Sequence, residues 1–517
     1  MKSRHSDQFR QLPRHHMGAG RGRWLSAGLL VLVSGWLLVS PAQAEKTARS
    51  RPQLRVDSPW PTGTVHRLKL IADGRKIWLY GAGVDKVVRR WEVTGQRGNR
   101  DLRPAGEFVW PVYRAERGVI LALDSLGGDA TANPPIPDRI AIGGIGTKAP
   151  HVAFSRSNAP ENVQVLSDPV LANSARQYVL SVALHPRGTI LAVGEQGFPV
   201  HDRGRVLLWN VSGEQAKFIG RMNTGAEAAM CVKFSPDGLH LATVGARPPS
   251  SDNKQGSLVE IWDMRQLQQG NRDGNVAPPA PVSQTFIPAV GWADSVLDEL
   301  CWIDSSTWAA ATIAGVVQGT LQGNSQVASE SRLIMRPKGV IHEIRDGTQF
   351  PFCEIINETD VAVSLEVAGK PVNLSPGKSH REPNPQFNNK LVFRIEAGAD
   401  TNPVWNGYRY RIAYESWGIQ PIPGTRNVVV GVRDAVRDVS RLVIQGADGS
   451  ILAAVPASDF QQDRLHAISI LSGGPGQPAL LAAAGSGETN GRPTVQIRLW
   501  ELNGNRAALV GSFPPAG

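Results

Sequence analysis

From Val65 onward the apolar positions rarely recur at helical spacing. They come instead in short runs, many alternating with polar residues, broken by Gly, Pro, Asp and Asn. That period-two pattern predicts short strands joined by tight turns, with little helix. The stretch VHRLKLIADGRKIWLYGAGVDKVVRRWEV (65–93) parses as a strand, an Asp-Gly turn, a second strand reaching Gly81, a turn at Asp85 and a third strand carrying Trp91.

The same order returns in VLSVALHPRGTILAVGEQG…RGRVLLWNV (179–211), AMCVKFSPDGLHLATVGAR…GSLVEIWDM (229–264) and LHAISILSGGPGQPALLAAAGSG…TVQIRLWEL (465–502). Fainter copies are DRIAIGGIG (138–146), STWAAATIAG (306–315) and RNVVVGVRD (426–434). The glycine after each second strand is then Gly81, Gly143, Gly194, Gly245, Gly315, Gly431 and Gly485, which marks seven units. A repeat of about fifty residues with four short strands per unit predicts an all-β fold, a β-propeller. Each unit is a small sheet that cannot bury both faces alone, so it stacks on its neighbours.

FSPDGLHLATVG…VEIWD (234–263) and GAGVDKVVRRWE (81–92), with Asp85 six residues ahead of Trp91, resemble the WD-repeat family. The family's Gly-His dipeptide is missing. The residues six positions before Trp209, Trp262 and Trp500 are Arg203, Gly256 and Thr494, so the family's turn Asp is present only at Asp85. Asp85 is read as bonding the turn backbone, and Trp91, Trp209, Trp262 and Trp500 as structural anchors wedged between blades.

The step from Gly315 to Gly431 is more than twice a normal unit. Alternation in VAVSLEV and KLVFRIEA, a Pro-Gly turn at 376–377 and a late YRYRIAY predict an inserted β-sandwich-like module of four or five strands. The alternative is one degenerate blade with long loops, for a total nearer eight. The chain divides into a signal peptide (1–44), a linker (45–60), five blades (61–335), the inserted module (336–422) and two blades completing the ring (423–515).

The N-terminus changes the meaning of the net charge of +10. Residues 1–44 carry Lys2, Arg4, Arg10, Arg14, Arg21 and Arg23 against Asp7, ahead of WLSAGLLVLVSGWLLVS and the small residues Ala42 and Ala44. That is the pattern of a Sec-type signal peptide, or of a membrane anchor if uncleaved. Without it 49 basic and 44 acidic residues remain, with no dense basic run, so a nucleic-acid partner is not expected. The expected location is periplasmic or secreted.

No P-loop, HExxH, Gly-x-Ser-x-Gly or EF-hand loop occurs, and the histidines show no ligand spacing. Cys231, Cys301 and Cys353 are too scattered for a CxxC site, and Cys231 and Cys301 sit in apolar runs as buried thiols. Neither catalytic residues nor metal or other cofactors are expected. The expected role is a non-enzymatic scaffold or binding module for another protein or envelope component. Contacts are expected from the loops 195–204 and 246–257, first at Asp202, Arg203 and Arg247, and from the insert. The alternative is a propeller hydrolase or lyase acting on extracellular polymer, with two carboxylates or a metal cluster lining the central funnel.

Overall fold

The computed structural model describes residues 60–514 except 110–117, 130–138, 146–151, 167–177, 197–202, 248–255, 269–279, 289–298, 322–340, 345–351, 384–389 and shorter stretches of up to four residues. The signal-like segment 1–44 and nearly all of the linker therefore lie outside the described residues. These are almost entirely β, in nine sheets. No helix among them is long and apolar enough to cross a membrane.

The first sheet holds β1 (Val65–Asp73), β2 (Lys76–Gly83), β3 (Val87–Gln96) and β4 (Asn99–Val109), paired in chain order and antiparallel. The second repeats this with β5 (Val119–Leu126), β6 (Arg139–Ile145), β7 (Val152–Arg156) and β8 (Ala159–Leu166). The third holds β9 (Tyr178–Leu184), β10 (Ile190–Gln196), β11 (Arg205–Asn210) and β12 (Lys217–Asn223). The fourth holds β13 (Cys231–Phe234), β14 (His240–Arg247), β15 (Gly256–Asp263) and β16 (Pro281–Pro288), with the short helix α1 (Arg265–Gln268) before its last strand. The fifth has three strands among the described residues, β17 (Glu299–Trp302), β18 (Thr307–Thr312) and β19 (Gly315–Thr320).

Among the described residues, eight strands follow that pair only with one another: β20 (Ile341–Ile344), β21 (Phe352–Asn357), β22 (Val363–Val367), β23 (Lys370–Leu374), β24 (Ser379–Pro383), β25 (Lys390–Ile395), β26 (Gly398–Pro403) and β27 (Tyr408–Ile412). They make two four-stranded sheets, ordered β20-β27-β21-β24 and β23-β22-β25-β26, with β21 and β27 parallel. The sixth repeat sheet then begins at β28 (Glu415–Pro421), which pairs with β29 (Val428–Asp434). The stretch 415–421, placed with the insert by its sequence, thus belongs to the repeat. β30 (Val439–Gln445) follows, and its free side is shared by β31 (Ile451–Ala454) and β32 (Phe460–Gln461). The seventh sheet is β33 (Leu465–Leu471), β34 (Ala479–Thr489), β35 (Arg492–Asn503) and β36 (Arg506–Phe513).

The turns follow from their residues. In Pro186-Arg187-Gly188 and Pro236-Asp237-Gly238 the glycines take φ of 64° and 75°. Their N–H groups donate to the carbonyls of His185 and Ser235 at 2.7 and 2.8 Å. A left-handed backbone here carries no steric cost for glycine. Second strands such as Leu191-Ala192-Val193 and Val428-Val429-Val430 are apolar throughout because both of their faces are buried.

The core lies between successive sheets. Ile71, Tyr80 and Val88 of the first meet Ile120, Leu123 and Ile142 of the second. Ala141 and Leu166 meet Val179, Leu191 and Trp209 of the third. Val206 and Met222 meet Val232, Leu241 and Trp262 of the fourth, and Val244 and Ile261 meet Leu300, Trp302 and Trp308 of the fifth. Ala309 and Ala311 meet Ile419 and Val430 of the sixth. Val429 and Leu442 meet Ile468, Leu481 and Trp500 of the seventh. Leu480, Leu499 and Phe513 of the seventh meet Leu68, Leu79 and Trp91 of the first.

Two of the marker glycines stand where neighbouring sheets approach closely. A Cβ at Gly143 would lie 2.2 Å from Cγ1 of Val179, and one at Gly431 2.6 Å from Cδ2 of Leu465. The contact between the last and first sheets carries extra fastenings. Trp60 stacks on Trp91 and on Phe513, with ring centroids 6.1 and 5.9 Å apart. Glu501 accepts from Arg100 Nε at 3.0 Å and from the Gly98 N–H at 3.2 Å.

Candidate functional site

The first strand of each repeat sheet has one edge paired within its sheet and one edge left over. An open edge inside a protein leaves backbone N–H groups to be satisfied. Side chains from the neighbouring sheet do this four times. Ser469 accepts from the Leu70 N–H at 2.9 Å, and Ser181 accepts from the Val232 N–H at 2.9 Å. The Asp124 carboxylate accepts from the Leu184 N–H at 2.8 Å, and that of Glu299 accepts from the Ile419 N–H at 3.3 Å. Two of these acceptors are hydroxyls and two are charged, and the charged ones gather cations around them.

Lys69 Nζ lies 2.7 Å from Asp124 Oδ1. Arg67 Nη1 lies 3.4 Å from Glu299 Oε1 and donates to the His66 carbonyl at 3.0 Å. Arg67 is on β1 and Glu299 on β17, so this pair links the first sheet to the fifth. Lys233 on β13 lies in the fields of Asp124, Glu299 and Arg67. Four first strands therefore bring Arg67, Lys69, Asp124, Lys233 and Glu299 into one charged cluster. His66 and His466 stand edge to face beside it, ring centroids 6.1 Å apart.

The environment sets each protonation state. Burial alone would raise the Asp124 carboxyl, but Lys69, Lys233 and the Leu184 N–H outweigh it and hold the pKa below the ordinary carboxylate range. Burial opposes the charge on Lys233, yet Asp124, Cys231 and Glu299 raise its pKa, so the ammonium is charged. His66 is pushed down to about 3, first by burial and then by His466 and Arg67, and is neutral at physiological pH. Burial raises the thiols of Cys231 and Cys301, which are free and buried. They are poor nucleophiles as they stand. The cluster can hold charge and donate hydrogen bonds, but its carboxylate Asp124 is tuned against acting as a general acid.

The anchor tryptophans lie between sheets. Trp91 and Trp500 have no exposed surface, Trp262 is 2% exposed and Trp209 7%. The Trp500 indole donates to the Pro456 carbonyl at 2.9 Å. Trp308, on β18, is equally buried and was not singled out in the sequence, because it sits on a second strand instead of a third. Asp85 accepts from the Val87 N–H at 3.4 Å, bonding its turn. It also pairs with Arg89, which is itself buried and lies 3.6 Å from Glu107. Arg90, on the other face, lies over the Trp78 ring. Of the residues expected to contact a partner, Arg203 is exposed, Asp202 lies outside the described residues, and Arg247 stands on β14 opposite Gly256. Among the described residues no three His, Cys, Asp or Glu are grouped to hold a metal ion.

No protein-family model matches the chain. Over 209 residues it is 28% identical to echinoderm microtubule-associated protein-like 2 of Rattus norvegicus, a match covering 39% of this chain and 29% of that relative. The chain thus spans under a third of the relative it matches. This partial likeness and the succession of small antiparallel sheets both point to a WD-repeat-like propeller.

Proposed function

We propose that the seven repeat sheets are the blades of one closed propeller, and that the protein is an exported, non-enzymatic scaffold for another protein or envelope component. The observation that carries this reading is the core itself: both faces of every repeat sheet are covered by other repeat sheets, the last by the first. Recognition is then left to the loops at the two ends of the sheets and to the double-sheet insert. Such surfaces suit protein partners better than a single converging pocket does. Export is supported by the basic, then apolar, then small-residue order of residues 1–44.

The test is affinity capture from the organism's envelope fraction, using the mature chain and a variant lacking residues 341–412. The insert's strands pair only with each other, so the deletion leaves the repeat sheets intact. The full chain is expected to retain a defined set of proteins that the deletion loses. Capture of nothing above background by the full chain would overturn the scaffold reading. An unchanged set would move recognition from the insert to the loops.

A further inference from the structure

The repeat sheets follow one another along the chain, so every contact between successive sheets is backed by a covalent connection. The contact of the seventh sheet with the first has none, because these sheets hold the two ends of the repeat. Nor is a strand exchanged there. Among the described residues the first sheet is built of β1–β4 alone and the seventh of β33–β36 alone. Side chains hold this seam, and its hydrogen bonds span 399 and 403 positions of the chain. Closing it costs loop entropy that contacts between chain neighbours largely escape.

A residue outside every strand bridges the seam. Trp60 precedes β1, yet its ring stacks on Trp91 of β3 and on Phe513 of β36, with interplanar angles of 16° and 15°. One indole therefore touches an aromatic ring from each sheet. Trp91 and Phe513 are buried, whereas Trp60 is half-buried and packs against their cluster. Thr64 ties down the same segment, its carbonyl accepting from the Val84 N–H at 3.0 Å. Pro59 and Pro61 flank Trp60 in the sequence. They restrict its backbone and so reduce the entropy lost when the ring docks. On the same seam Glu501 of β35 takes Arg100 Nη2 of β4 at 2.9 Å.

We propose that Trp60 is a strap that latches the last repeat sheet to the first, and that releasing it opens this seam while every sheet stays folded. The strap acts within the closed ring proposed above, on which this inference rests. Trp60 ends the segment read as the linker, so tension on that segment reaches the strap before it reaches any strand.

Two amides serve as reporters. The Leu70 N–H bonds across the seam to Ser469, and the Val232 N–H bonds to Ser181 across the contact of the third and fourth sheets, both at 2.9 Å. Residue-resolved hydrogen exchange of the mature chain compares them. In Trp60→Ala the Leu70 amide should exchange about tenfold or more faster, through loss of two stacked aromatic contacts. Val232 should keep its rate, and Trp60→Phe should retain most of the Leu70 protection. An unchanged Leu70 rate in a folded Trp60→Ala, or an equal rise at Val232, overturns the strap and leaves the ring standing. A Leu70 amide already unprotected in the unaltered chain, beside a protected Val232, overturns the ring and the strap with it. If Trp60→Ala does not fold, the unaltered chain in low urea decides. Exchange of Leu70 through an opening with a smaller urea dependence than that of Val232 supports the latch; equal dependence overturns it.

Discussion

The ion pair between Arg67 and Glu299 ties the first repeat sheet to the fifth, and its energy is a direct measure of how the sheets converge. At 3.4 Å the attraction is about 5 kcal/mol for an effective dielectric of about 20. Both side chains are 17% exposed, so each keeps some water and each lost the rest on folding. Desolvation takes back most of the attraction, leaving a coupling of about 1–2 kcal/mol. A double-mutant cycle isolates it. Glu299→Gln removes the charge and weakens the acceptor for the Ile419 N–H; Arg67→Met leaves Glu299 without its paired cation. Each single change should cost about 2–3 kcal/mol in urea unfolding, and the double variant should cost less than their sum by the coupling. If the first and fifth sheets were the distant ends of an open stack, the two changes would add to within about 0.3–0.5 kcal/mol. Additivity would refute the convergence of these strands, and closure with it.

Two further outcomes follow from local geometry. Gly143→Ala sets a methyl group 2.2 Å from Val179 Cγ1 and should destabilise by about 1–3 kcal/mol; Val179→Ala should restore part of the loss, whereas additive costs in thermal unfolding would mean the glycine serves something other than this contact. His66 is held at about 3 in the folded chain against 6.5 when unfolded, so below pH 6.5 the unfolded chain takes up a proton that the folded one refuses. Stability should fall as pH is lowered through that window, by up to about 1.4 kcal/mol per pH unit from this group. His66→Gln should flatten the slope, and an unchanged slope would show that His66 is not shielded as described.

The repeat was legible because its packing demands leave marks within a few residues of each other. Gly143 and Gly431 can be read from the chain since each second strand meets a side chain of the next sheet so closely that a Cβ would collide with it. Trp91, Trp209, Trp262 and Trp500 were readable for the converse reason: each fills the space between two sheets. Reading failed where the marks were shared or absent. β28 lacks a turn signal separating it from the insert, so Glu415–Pro421 was grouped with the wrong sheets. The insert itself showed the alternation of four or five strands, whereas eight form, because segments such as Gly398–Pro403 carry no apolar face to announce them.

The charged cluster left no local mark, and the reason lies in what a first strand has to satisfy. In VHRLKL, LALDSL, CVKF and DELCW one or two charged residues among apolar ones look like the solvent face of an ordinary strand. The first strand of a repeat sheet has an edge left unpaired within its sheet, however, and that edge needs acceptors for its N–H groups. Serine serves at Ser181 and Ser469, with no charge to balance. At Asp124 and Glu299 the same task is done by a carboxylate, and each carboxylate requires a cation brought from a different part of the chain. Lys69 and Arg67 answer that requirement, and Lys233 lies in the field of both carboxylates. An edge-capping role thus explains two serines, two carboxylates and the two cations paired with those carboxylates.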